Sequence, residues 1–184
     1  MAAERNYKGV ARELEQSLRG DTSRTQRMQA VARALWRSFG DVRMPKEVAP
    51  QPETPAGLSW VGFYEIEIGA DGGPTEQMLL LEREPKPACS PIGLHGMCGR
   101  GWRERVSLVI PDVRTLGEDY VACDPADMSE LVVPMFASDG SCWGVLDADS
   151  YGLDAFSQHD AAGFFGVARA AGLTAGDEPG VVTV

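Results

Sequence analysis

The chain has 184 residues, 43% of them hydrophobic, and a formal charge of -10 from 17 Lys and Arg against 27 Asp and Glu. Such a length and apolar content suit one globular domain with its own core. The acidic balance argues against nucleic acid or a membrane surface as partner.

No apolar run reaches the length of a membrane span, and residues 1–7 are polar, without the apolar core of a signal peptide, so a cytoplasmic protein is expected. The four cysteines of such a protein are expected to be free, catalytic or metal-bound.

Two amphipathic helices open the chain. Val10, Leu14 and Leu18 recur at helical spacing, and Met28, Val31, Leu35 and Phe39 form a stripe after Ser23-x-x-Gln26, a capping-box pattern that Gly40 can terminate. The segment 45–55 holds four prolines and reads as an extended loop. Residues 59–68 and 78–81, separated by Ala70-Asp71-Gly72-Gly73-Pro74, read as a hairpin of two strands. A Pro- and Gly-rich loop over 83–97 carries Cys89 and His95 and leads into a short helix at 98–104. After a strand at 107–113, a second loop carries Cys123. Strands at 131–136 and 141–149 then flank Asp139-Gly140, a two-residue turn signal. Ser157 caps a last helix with Asp160 three residues on, and the tail beyond Leu173 reads as loose. The pattern describes an α+β domain with one central antiparallel sheet.

Counting outward from a two-residue turn at Asp139-Gly140 sets Glu130 opposite Asp149. Asp147 shares that face, with Val145 and Trp143 further along, whereas Cys142, Gly144, Leu146 and Ala148 point the other way. Three carboxylates this close raise one another's pKa and call for a compensating cation or a shared proton. A cationic ligand supplies the first; a frayed, solvated strand end or a hard Ca²⁺- or Mg²⁺-type site are the other readings. Cys142 alternates within a strand and reads as core. Cys89, Cys98 and Cys123 sit in or beside loops. A zinc site from Cys89, His95, Cys98 and Cys123 is weakly supported, because the first two cysteines are nine residues apart.

Seven blocks in order, Trp60-Val61-Gly62-Phe63-Tyr64, Lys86-Pro87-Ala88-Cys89, Gly96-Met97-Cys98-Gly99, Ile110-Pro111-Asp112-Val113, Ala122-Cys123-Asp124, Ser129-Glu130-Leu131-Val132-Val133-Pro134 and Gly144-Val145-Leu146-Asp147-Ala148-Asp149-Ser150, resemble the free methionine-(R)-sulfoxide reductases. These are stand-alone GAF-domain enzymes, and the resemblance runs from about Tyr7 to Leu173.

The resemblance implies a single GAF domain over 1–184: helices over 1–40, an inserted Pro-rich loop over 41–57, the sheet, active-site loops and last helix over 58–173, and a loose tail over 174–184. The N- and C-terminal helices are expected on one side of the sheet. It implies Cys123 as the attacking cysteine, Cys89 as its disulfide partner, Cys98 as a third cysteine, and Glu130, Asp147 and Asp149 as pocket acids beside the aromatic wall of Trp60 and Tyr64. It further implies recycling by external thioredoxin, no bound cofactor and a homodimer. Segment 90–95 departs from the family pattern, which leaves the pocket lid and substrate range open. A GAF module that binds a small molecule, or a redox sensor acting on a partner in trans, is the alternative function.

Overall fold

Two helices, α1 (Tyr7–Ser17) and α2 (Arg24–Phe39), begin the computed structural model, which describes residues 4–41, 56–117 and 123–184. The Pro-rich segment 45–55, expected as an inserted loop, lies outside the described residues. The capping box of α2 is present, with Gln26 N donating to Ser23 Oγ at 3.2 Å and Ser23 N to Gln26 Oε1 at 2.9 Å, and the helix ends at Gly40. In the last helix, α4 (Gln158–Ala170), Asp160 reaches back to accept from the Ser157 backbone N–H at 2.8 Å. The same carboxylate takes the Tyr7 hydroxyl at 2.6 Å and the Arg5 guanidinium at 2.7 Å, which ties the start of the chain to α4.

Among the described residues seven strands make one sheet in the order β3-β2-β1-β6-β5-β4-β7. They are β1 (Trp60–Ile68), β2 (Pro74–Glu84), β3 (Ile92–Gly93), β4 (Ser107–Ile110), β5 (Ser129–Phe136), β6 (Cys142–Ser150) and β7 (Val181–Thr183). Every pairing is antiparallel except β4 with β7. The expected α+β architecture is therefore present. The end of the chain differs from expectation: instead of a loose tail it returns to the sheet, with Ser107↔Val181, Leu108↔Val182 and Val109↔Thr183 in register. A three-residue strand between Gly180 and the terminus carries too little periodicity to be read in advance.

Alternation splits the sheet into two faces. Val61, Phe63, Leu131, Val133, Leu146 and Ala148 turn to the side covered by α1, α2 and α4, the N- and C-terminal helices. Phe63, Phe164 and Phe165 are fully buried there, each contributing roughly 2–3 kcal/mol by burial. The other face carries Trp60, Tyr64, Val132 and Val145 and is covered by α3 (Met97–Glu104) and the adjoining loops. Two glycines let α3 sit close. A Cβ on Gly101 would come within 2.8 Å of Val132, and one on Gly99 would collide with the backbone of Leu94. Among the described residues no helix is long and apolar enough to cross a membrane.

The β5–β6 hairpin has the expected register but not the expected turn. Ala137 N donates to Ser141 O and Gly140 N to Ala137 O, so the loop is three residues long and ends on Gly140 at φ +83°. Phe136 then pairs with Cys142 and Met135 with Gly144, which leaves Trp143 as an unpaired bulge residue. The extra loop residue and the bulge offset each other, so Glu130 still faces Asp149. The bulge also moves Trp143 off the acid-bearing face where alternation had placed it. Its ring stacks on Phe63 at 6.2 Å, lies 3.9 Å from the Arg24 guanidinium, and its indole N–H bonds Leu173 O at 3.0 Å, all on the helix side.

Candidate active site

Three strands carry the pocket floor in rows. Trp60 on β1 pairs with Asp149 on β6, which pairs with Glu130 on β5; in the next row Gly62, Asp147 and Val132 stand side by side; Tyr64 and Val145 follow. Gly62 lies between the two aromatic residues on their own face. A Cβ there would run into the Trp60 ring and come within 2.7 Å of Arg83 Cβ, so glycine lets the indole fold across the strand toward Tyr64. The two rings lie 6.0 Å apart with a 36° tilt.

The first turn of α3 closes one side. Cys98 is buried, its Sγ and a carboxylate oxygen of Asp147 within 4.8 Å of each other. The N-terminus of α3, at Gly96, has no side-chain cap, and Gly96, Met97 and Cys98 line the pocket. The opposite side is the loop before β3. Trp60 Nε1 donates to Lys86 O at 2.9 Å and the Tyr64 hydroxyl to Cys89 O at 2.9 Å, so the polar ends of both wall aromatics hold this loop in place. Cys89 and Cys123 are disulfide-bonded, their Cα atoms 5.5 Å apart, both exposed at the mouth. Lys86 pairs with Asp124, the residue after Cys123, and so joins the two cysteine loops a second time.

One pocket thus brings together Cys98, Cys123, Glu130, Asp147, Asp149, Trp60 and Tyr64, with Cys89 bonded to Cys123 at its rim. The zinc set considered from the sequence does not assemble: Cys89 and Cys123 bond each other, and His95 is exposed and outside the lining. Cys142 is half-buried against the helix-side core.

Sequence reasoning missed Asp127. It is buried, accepts from the Ser59 hydroxyl at 2.6 Å and adds a fourth carboxyl to the lining. It sits in the loop ahead of β5, where no strand alternation assigns a direction; the spacing Asp127-x-x-Glu130 was the one available signal.

Among the described residues neither Lys, Arg nor His lines this pocket. Burial first, then the neighbouring Asp147 and Asp127, pushes Glu130 well above the usual carboxylate range. Burial does the same to Asp149, reinforced by Asp147, Asp127 and Glu130. Asp147 is pushed up to about 7, chiefly by burial and opposed by the neighbouring Cys98 thiol, and Asp127 to about 6, again chiefly by burial. Asp147 Oδ1 is buried without a hydrogen-bond partner among the described residues. A neutral carboxyl donates a proton and an ionised one takes a cation, so the cluster is built for a ligand that brings both needs.

Fold and pocket define the class: a GAF fold that encloses thiols and carboxyls between its sheet and α3, with a solved GAF domain superposing at a TM-score of 0.71. No protein-family model matches the chain. A curated relative, GAF domain-containing protein A of Dictyostelium discoideum, is 29% identical over 85% of this chain and 84% of its own. The free methionine-R-sulfoxide reductase of Saccharomyces cerevisiae is 30% identical over 56% of this chain and 55% of its own, so the chain matches little more than half of that enzyme's length. The structure of the free methionine-R-sulfoxide reductase of Neisseria meningitidis, in complex with its substrate, superposes with a TM-score of 0.72 at 27% identity, covering 93% of this chain and 91% of that one. The chain is similar in sequence and in fold to the free methionine-R-sulfoxide reductases, the family its sequence blocks pointed to, and those relatives are oxidoreductases.

Proposed function

We propose that the protein reduces free methionine-(R)-sulfoxide to methionine, with Cys123 as nucleophile. The observation that carries this reading is the placement of a disulfide-forming cysteine pair at the mouth of a pocket whose floor is four buried or half-buried carboxyls.

The Cys123 thiolate attacks the sulfoxide sulfur while Glu130, neutral because it is buried, gives its proton to the departing oxygen. Attack forms a sulfur–sulfur bond as the sulfur–oxygen bond breaks; the released hydroxide then attacks the Cys123 sulfur, the sulfur–sulfur bond breaks, methionine leaves, and Cys123 holds the oxygen as a sulfenic acid. The Cys89 thiol then condenses with it, releasing water and forming the Cys89–Cys123 disulfide. A thioredoxin dithiol reduces that bond and is itself oxidised, which closes the cycle with no bound cofactor.

Substrate recognition follows from charge. The ammonium group of a free amino acid sits against Asp147 Oδ1 and Asp149, supplying the cation the cluster lacks. Its carboxylate fits the uncapped N-terminus of α3, where the helix dipole is positive. Trp60 and Tyr64 hold the S-methyl group by apolar and sulfur–aromatic contact. A peptide-bound residue has neither terminal charge.

The test is NADPH consumption coupled through thioredoxin reductase and thioredoxin, with the free (R) sulfoxide, the (S) epimer and a peptide-bound sulfoxide supplied in turn. Turnover of the first alone is expected. No turnover of any would overturn the reductase reading in favour of a ligand-binding GAF module.

A further inference from the structure

Cys98, Glu130 and Asp147 each offer one ligand atom, and those three atoms lie within 4.8 Å of one another, all from buried residues. Asp147, only 6% exposed, lines this pocket, and its Oδ1 is buried with no hydrogen-bond partner among the described residues. We infer that this corner binds a thiophilic divalent cation of the zinc class, through the Cys98 sulfur and one oxygen each of Glu130 and Asp147.

The donor set selects the metal. A sulfur ligand disfavours Ca²⁺ and Mg²⁺, which take oxygen throughout, whereas one sulfur and two oxygens suit Zn²⁺. The spacing suits it as well. A point equidistant from three atoms at most 4.8 Å apart is at most about 2.8 Å from each, and zinc bonds of about 2.0–2.3 Å need inward shifts of at most about 0.5–0.8 Å. All three donor residues line the pocket. Binding is ligand exchange without redox change: the Cys98 thiol proton and any carboxyl proton pass to solvent as the metal bonds form. Cys89 and Cys123, closed as a disulfide, take no part.

A consequence rests on the substrate reading given above. The cation occupies the corner assigned to the substrate's ammonium, so zinc competes with the sulfoxide for the reduced enzyme.

The test uses Co²⁺ as probe on the full-length, disulfide-closed protein in metal-free buffer, with no substrate. One equivalent of Co²⁺ is expected to give a thiolate-to-cobalt charge-transfer band that Zn²⁺ displaces. The band persists in Cys142→Ser and disappears in Cys98→Ser. In Glu130→Gln and Asp147→Asn binding weakens about tenfold or more. These two variants keep the assignment testable should Cys98→Ser not fold. Absence of the band, its survival in Cys98→Ser, or its loss in Cys142→Ser would overturn the site. Because binding is read without turnover, its failure leaves the reductase reading intact, and an inactive protein leaves the cation site intact. In the coupled assay Zn²⁺ should raise the apparent KM at constant kcat; an equal fall of kcat at saturating sulfoxide overturns the competition.

Discussion

Glu130 on β5 and Asp149 on β6 are direct cross-strand partners, with Trp60 the partner of Asp149 on the far side, so two acids and an aromatic ring share one row of the pocket floor. Like charges in such a position are costly when both ionise; burial, then Asp147 and Asp127, holds Glu130 toward its neutral form, and burial, then Asp147, Asp127 and Glu130, does the same to Asp149.

Glutamine at position 130 keeps the shape and removes the proton. Glu130→Gln is expected to lower kcat by about a hundredfold or more, the usual scale of a lost general acid, with KM little changed. Its unfolding midpoint should stay level or rise, because a desolvated acid beside Asp147 and Asp127 is gone. A drop in stability matching the drop in turnover would assign Glu130 a structural role instead.

The acids also set how stability varies with pH. Asp147 at about 7 and Asp127 at about 6 are both raised above the 3.8 of an unfolded aspartate, chiefly by burial. A raised acid contributes stability in full below about pH 4 and loses it as pH climbs through its folded value. Asp160 runs the other way: although burial opposes it, the Tyr7 hydroxyl and the Arg5 charge hold it low, so its contribution is lost only below pH 4. With a chelator present, the unfolding midpoint should therefore rise by roughly 5 °C or more from pH 8 to pH 5. Asp147→Asn should flatten part of that slope, the remainder coming from Asp127, Glu130 and Asp149. A flat wild-type profile would mean the carboxyls are solvated.

The two tryptophans make a paired test. Trp143→Ala loses a ring packed on Phe63 and Arg24 and should cost roughly 2–4 kcal/mol of stability with KM unchanged. Trp60→Ala opens the pocket wall and should raise KM about tenfold or more while the Phe63 side of the sheet stays intact. Equal effects of both on KM would contradict the bulge at Trp143.

What the sequence disclosed, and what it hid, follows from periodicity. Glu130 and Asp149 were legible as partners because strand alternation fixes a face for every residue once one pairing is known. The turn was misjudged by one residue and Trp143 bulges by one, so the register survived while Trp143 itself was assigned to the wrong face. Asp127 lies in a loop without alternation. The close approach of Trp60 over Gly62, and of α3 through Gly99 and Gly101, is a property of packed surfaces that no spacing encodes. The capping boxes at Ser23 and Ser157 were legible because both halves of each sit three residues apart.

The family resemblance implies Cys89 rather than Cys98 as the disulfide partner of Cys123, and the geometry separates the two. Cys89 is exposed at the mouth with its Cα 5.5 Å from that of Cys123, inside the range a disulfide needs. Cys98 is buried, and burial followed by the carboxyls of Asp147 and Glu130 pushes its thiol well above the ordinary value, which leaves little thiolate to attack a sulfenic acid. Reduced Cys89→Ser protein should therefore release one methionine per chain at the wild-type rate, then turn over about tenfold or more slowly with a sulfenic acid on Cys123 that dimedone traps. Unslowed turnover together with a Cys98–Cys123 linkage in the peptide map would show that Cys98 resolves the intermediate and that the pocket rearranges between steps.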